Sequence, residues 1–157
     1  MSEIEKVFQV AEVKVQYIPK KKLGPKIKTA NEAVDILKNF YDLNSINLQE
    51  EFLILYLNRG HRLIGVYKIS KGSINSTLVD VRLVMSVGLK LACSSIILSH
   101  NHPSGNIKPS IGDIKITRKL YNAGALLDIN IIDHVIVSPD FGYYSFSENN
   151  VMDTVIL

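Results

Sequence analysis

Ser94-Ser95-Ile96-Ile97-Leu98-Ser99-His100-Asn101-His102-Pro103-Ser104-Gly105 runs on through Asn106-Ile107-Lys108-Pro109 to Ser110-Ile111-Gly112-Asp113. Its apolar first half, bounded by turn residues, reads as a buried strand. Side chains two apart on a strand share a face, so an extended chain points His100 and His102 the same way. Pro103 and Gly105 break the strand. Pro109-Ser110 then opens a helix with Asp113 in its first turn. Two imidazoles from a strand end and one carboxylate from a helix start can meet at a point. That donor set suits a zinc ion with three protein ligands and one open position. A plainer reading stands beside it: Ser110 to Asp113 has capping-box spacing, and a carboxylate there can serve the helix N-terminus alone.

Working outward, the 157 residues are 46% hydrophobic and 21% charged, the balance of an ordinary globular chain. One domain is expected, large enough to bury a core. A formal net charge of +3 does not argue for nucleic acid by itself. The lysines at Lys20, Lys21, Lys22, Lys26 and Lys28 form a basic connector. It reads as a solvated loop, with a nucleic-acid-binding arm as the alternative. The single Cys93 excludes a disulfide framework and a cysteine-rich zinc site, and reads as a packed thiol. The N-terminus lacks a signal-peptide layout and no apolar run reaches membrane-spanning length, so a cytoplasmic protein without a membrane partner is expected.

Alternation over residues 7–17 predicts a half-buried strand, which with the basic connector makes up residues 1–28. Thr29-Ala30-Asn31-Glu32 has capping-box spacing. The helix it starts carries an apolar stripe of Ala33, Ile36, Leu37 and Phe40. Phe52 to Leu57 reads as a strand covered on both faces. A turn at Asn58-Arg59-Gly60-His61 returns it as a hairpin over Arg62 to Ile69, leaving His61 exposed at the tip. A loop follows from Lys71 to Thr77. Val81, Val84, Met85, Gly88, Leu89 and Ala92 predict a second helix, in which Gly88 implies a close backbone neighbour. Ile114, Ile116, Leu120 and Ala123 mark a third, ending near Gly124. Ile129 to Val137 is a strand interrupted by Asp133-His134, and Tyr143 to Phe146 is a short last strand. The sum is α/β: a single-domain mixed β-sheet sandwiched by helices.

The pattern His100-x-His102, seven residues, Ser110, two residues, Asp113 resembles the JAMM motif of MPN-type metallohydrolases. The longer string from His100 through Gly105, Pro109-Ser110 and Asp113 resembles the RadC branch in particular. Thr117, Asp133-His134 before Val135-Ile136-Val137, and Tyr144-Ser145-Phe146 agree with it. The resemblance covers about residues 45–157, within a domain of residues 29–157. It implies an MPN/JAB-like fold of cytidine-deaminase-like architecture. It also implies a zinc-dependent hydrolase of peptide or isopeptide bonds, with one zinc held by His100, His102 and Asp113. The family places a glutamate before the first strand and next to Phe. Glu51 fits as the general base, with Glu50 its rival, and Ser110 as donor to the oxyanion. The substrate, a peptide or protein, is not readable, nor is the oligomeric state. The alternative implied by the RadC resemblance is a DNA-repair or mobile-element accessory module that binds nucleic acid or a protein partner without turnover. No counterpart is expected here of the helix-hairpin-helix segment that often precedes this domain in longer RadC-like proteins, which weakens the inherited claim about DNA binding. Asp133 and His134 need partners if buried; orienting a ligating histidine and a structural hydrogen bond elsewhere are both open.

Overall fold

The structure, a computed structural model, describes residues 14, 16, 18, 22–71 and 79–156. The strand expected over residues 7–17 lies outside the described residues apart from Lys14 and Gln16, as do Lys20, Lys21 and residues 72–77 of the expected loop.

Helix α1 spans Ala30–Leu37 and starts as the sequence predicts. Thr29 Oγ1 accepts from the Glu32 amide at 3.2 Å, and the Glu32 carboxylate accepts from the Thr29 amide at 3.2 Å. Its inner face is Ala30, Ala33, Val34 and Leu37. Phe40, expected on that face, lies beyond the helix end and is 44% exposed.

Strand β1 (Glu51–Leu57) is buried at every position, and β2 (Leu63–Lys71) returns antiparallel to it. Asn58 Oδ1 closes the turn by accepting from the Gly60 and Arg62 amides, each at 2.9 Å, with exposed His61 at φ 59°. Helix α2 (Val81–Lys90) is capped by Asp80 and buries Val84, Met85 and Gly88. Leu89, expected inside, is 53% exposed. A Cβ on Gly88 would meet the side chains of Cys93, Ile129 and Tyr56 at 3.2–3.4 Å, so side chains rather than another backbone crowd it.

Strand β3 (Ser95–Asn101) is again buried throughout. Helix α3 (Ile111–Leu126) crosses back to β4 (Asn130–Val137), which pairs parallel to β3. Gly124 does not end α3. A Cβ there would lie 2.3 Å from the Ile129 carbonyl, so the glycine admits the chain entering β4. The left-handed residue past the helix is Asp128, at φ 56°. Strand β5 (Tyr143–Ser145) follows. A further helix, α4 (Val151–Ile156), has no counterpart in the sequence reading and buries Met152 and Val155.

The five strands lie in the order β2-β1-β3-β4-β5, antiparallel except for β3 and β4. Alternation splits the core into two layers. Phe52, Ile54, Tyr56, Ile96, Leu98 and Ile136 face Val84, Leu120 and Met152 from the helices α2, α3 and α4. Leu53, Leu55, Leu57, Ile97, Val135 and Val137 face Ala33, Val34 and Leu37 of α1. Each large apolar side chain so enclosed contributes about 1.5–3 kcal/mol, which holds helices on both faces. This is the expected mixed sheet sandwiched by helices. The middle strand, β3, ends where the chain crosses to α3, the usual place for a site in an α/β unit.

Candidate metal centre

His100 is the penultimate residue of β3, opposite Phe52 of β1 and Ile136 of β4. Its ring stacks on Phe52, with centroids 5.6 Å apart and planes 2° from parallel. His102 lies one residue beyond the strand. Its amide donates to the Val137 carbonyl at 2.9 Å, which extends the pairing with β4 far enough to aim the side chain. Past it, the Gly105 amide donates back to the His102 carbonyl at 3.0 Å, with Gly105 at φ 82°, where a glycine is favoured.

Asp113 arrives from the first turn of α3. The Ser110 side chain accepts from the Asp113 amide at 3.1 Å, and the Asp113 carboxylate accepts from the Ser110 amide at 2.7 Å. The capping box is therefore real, and it coexists with the cluster. While capping, Asp113 Oδ1 lies 3.1 Å from His100 Nε2 and Oδ2 lies 3.5 Å from His102 Nε2. The two Nε2 atoms are 2.9 Å apart.

These separations test the fit to a metal. Zinc bonds of about 2.0–2.1 Å in a tetrahedral shell put neighbouring ligand atoms about 3.3 Å apart, close to what is observed. Donor accounting agrees. His102 Nδ1 lies 2.5 Å from the Asn106 carbonyl, which can only accept, so Nδ1 carries the proton and Nε2 of the neutral ring a lone pair. A lone pair facing a carboxylate and a second imidazole nitrogen requires a cation or a proton between them. The protonation tendencies say the same. The Asp113 hydrogen bond raises the His102 pKa despite partial burial. Burial pushes the Asp113 carboxyl up, but the adjoining His100 and His102 side chains and the Ser110 amide outweigh it and hold it far below the usual carboxylate range. Among the described residues, His100, His102 and Asp113 form the group able to hold a metal ion. His100 is buried while His102 and Asp113 are partly exposed, so the cluster is reachable from solvent.

The two glutamates before β1 part company. Glu51 alternates with Phe52 and so belongs to the α1 face, away from His100. Its carboxylate is buried, with Oε2 2.5 Å from Lys68 Nζ and Oε1 accepting from the Ser45 hydroxyl at 3.1 Å. Its charge acts on Tyr41, whose phenol burial pushes far up. Glu50 is half-buried, two residues before Phe52 and hence on the His100 side, and its charge helps raise the His102 pKa. Ser110 is exposed, at the N-cap of α3.

Three residues acquire roles here that spacing alone does not give them. Asn101, between the two histidines, points to the opposite face. Its amide donates to the Ile46 and Gln49 carbonyls at 2.9 Å each, and its oxygen accepts from the Glu51 amide at 2.7 Å. It thus pins the segment that carries Glu50 to the strand that carries His100. His134 and Thr117 are both fully buried beside the cluster: His134 Nε2 lies 2.8 Å from His100 Nδ1, and His134 Nδ1 lies 2.6 Å from Thr117 Oγ1. Burial first, and the neighbouring His100 imidazole second, lower the His134 pKa well below that of free imidazole. Asp133 turns away, accepting from the Ser145 hydroxyl at 2.6 Å and the Ser147 amide at 2.9 Å, and so braces β5. Of the pair left open in the sequence, His134 lies against a cluster histidine and Asp133 is structural.

A mixed α/β domain with His-x-His at a central strand end and an aspartate in the next helix is a protein of the JAB type. The sequence model of the RadC-like JAB domain matches residues 27–151. The chain belongs to this family. It is 45% identical over 102 residues to a UPF0758 protein of Flavobacterium johnsoniae, covering 65% of this chain and 44% of that protein. It is 38% identical over 127 residues to a UPF0758 protein of Alkaliphilus oremlandii, covering 81% and 53% respectively. A third, from Shouchella clausii, is 35% identical over 135 residues, 86% of this chain and 57% of that protein. The chain thus spans about half the length of the curated relatives it matches. No helix among the described residues is long and apolar enough to cross a membrane.

Proposed function

We propose that this domain is a zinc-dependent hydrolase of the JAMM type, acting on a peptide or isopeptide bond. The observation that carries the reading is the convergence of His100 Nε2, His102 Nε2 and the Asp113 carboxylate within 2.9–3.5 Å of one another, with Glu50 on the same side. Bound there, zinc would polarise a carbonyl and lower the pKa of a water to about 7. The protein supplies the rest. Asp113 stays anionic and the capping box fixes its orientation. Glu50, held near the cluster by the Asn101 clamp on its loop, takes a proton from the attacking water and returns it to the leaving amine. Glu51, the base expected from the sequence, is committed to Lys68 on the other face, so we assign that role to Glu50. The Ser110 hydroxyl accepts from the Asp113 amide through a lone pair, which leaves its proton for a developing oxyanion.

The test is a proteome-wide search for new N-termini and released isopeptide partners, comparing the wild-type protein with Glu50→Gln and Glu51→Gln. Cleavage lost in Glu50→Gln with zinc retained supports the reading. Full activity in Glu50→Gln moves the base elsewhere, and cleavage by neither wild-type nor variants in the zinc-loaded state rejects the hydrolase.

A further inference from the structure

His134 and Thr117 lie behind the cluster, His134 against the His100 ring and Thr117 against the Asp113 backbone carbonyl. We infer that they are positioning residues that set the tautomer of His100, so that its Nε2 lone pair faces His102 and Asp113. The inference deepens the metal-centre reading and rests on it.

The argument is one of donors and acceptors. Thr117 Oγ1 lies 2.5 Å from the Asp113 carbonyl, one helical turn back. A carbonyl oxygen cannot donate, and two oxygens that close repel unless a hydrogen lies between them. The Thr117 proton is therefore on that line. The same oxygen lies 2.6 Å from His134 Nδ1 and has only lone pairs left to offer, so His134 Nδ1 carries a hydrogen. The His134 ring is fully buried against Phe52 and Phe146, and its two nitrogens face Thr117 Oγ1 and His100 Nδ1 rather than a carboxylate, so it carries a single hydrogen and its Nε2 has none. That Nε2 lies 2.8 Å from His100 Nδ1, so the hydrogen between them belongs to His100. With that hydrogen on Nδ1, His100 as a ligand offers the lone pair of Nε2, the atom 3.1 Å from Asp113 Oδ1 and 2.9 Å from His102 Nε2. Each link has a single consistent direction, and the chain begins at a backbone carbonyl, which cannot reverse it. Phe52 and Phe146 pack on the two imidazoles, with Phe146 4.8 Å from the His134 ring centroid, and exclude the water that would let either ring exchange its partner. A metal-bound histidine whose other nitrogen donates to a fixed acceptor is the arrangement that orients such ligands. Loss of the partner weakens metal binding about 10–100-fold.

The test reads tautomers directly, by long-range proton–nitrogen correlation NMR on uniformly labelled, metal-free protein. The wild type should show His134 and His100 both as Nδ1–H. Thr117→Val keeps the shape and removes the acceptor, which frees His134 to hold its proton on Nε2 and drive the His100 proton onto the ligating nitrogen. That variant should show both rings as Nε2–H and bind zinc about 10–100-fold more weakly, and Thr117→Ser should restore both properties. Either histidine found as Nε2–H in the wild type overturns the inference, as does Thr117→Val with wild-type tautomers and affinity. The wild-type spectrum is decisive even where Thr117→Val fails to fold. A wild type with the expected tautomers that takes up no zinc supports the relay and refutes the metal centre behind it.

Discussion

Replacing Asn101 by alanine separates the structural work of the His-Asn-His stretch from its proposed metal binding. The side chain makes three hydrogen bonds, to the Ile46 and Gln49 carbonyls and from the Glu51 amide, the first and last of them buried. At about 1 kcal/mol net for each bond, the loss is about 3 kcal/mol, more if the stranded groups find no water. For a chain of this size that lowers Tm by about 6–12 °C. The two histidines keep their own anchors, His100 within β3 and His102 through Val137, so zinc affinity should change little. The segment that carries Glu50 loses its tether. Denaturant unfolding gives the stability loss, and hydrogen exchange reads the Glu51 amide, whose acceptor is the deleted oxygen and which should exchange much faster. Calorimetric zinc titration completes the comparison. A stability loss below about 1 kcal/mol, or zinc affinity that falls in step with stability, would refute the clamp.

Three further outcomes follow. The raised pKa of His102 means that its proton is held to higher pH than on free imidazole, so zinc must displace it and affinity rises with pH. Titrations at about pH 7.5 and 5.5 should differ by at least tenfold, and equal affinities would remove His102 from the ligand set. Gly124→Ala would place a Cβ against the Ile129 carbonyl, and a loss of about 1–3 kcal/mol is expected on denaturant unfolding. A neutral result would mean that the entry to β4 can shift. Ser110→Ala removes the cap of α3 and should cost about 1 kcal/mol, while turnover falls further than the stability loss explains. Turnover at the wild-type level in a folded variant would leave Ser110 a cap and nothing more.

The sequence was most informative where local chemistry dictates geometry. Thr29 and Ser110 cap helices because their side chains reach the amides of the next turn, and that spacing is visible in the letters. The convergence of His100, His102 and Asp113 follows from period two and one helix start. Phe40 and Leu89 were misplaced because helical periodicity marks a face without saying where the helix stops or how far its neighbour reaches. Gly124 resembles a helix end, yet its cause is a carbonyl from β4, a contact no local pattern announces. Helix α4 is only Val151–Ile156, too short to show a period. The choice between Glu50 and Glu51 depends on which strand face looks at His100. Parity with Phe52 selects Glu50, but only once Phe52 is known to pair with His100. Asn101 and the His134–Thr117 pair act across tertiary contacts, and nothing within a few residues of them reveals their partners.

The central claim is that His100, His102 and Asp113 hold a metal. Metal content of the purified protein, measured by elemental analysis after zinc loading and exhaustive dialysis, tests it most directly. The account predicts about one zinc per chain for the wild type, and a near-complete loss in His100→Ala and Asp113→Ala variants that remain folded. A wild type without zinc, or folded variants that retain as much as the wild type, would contradict it.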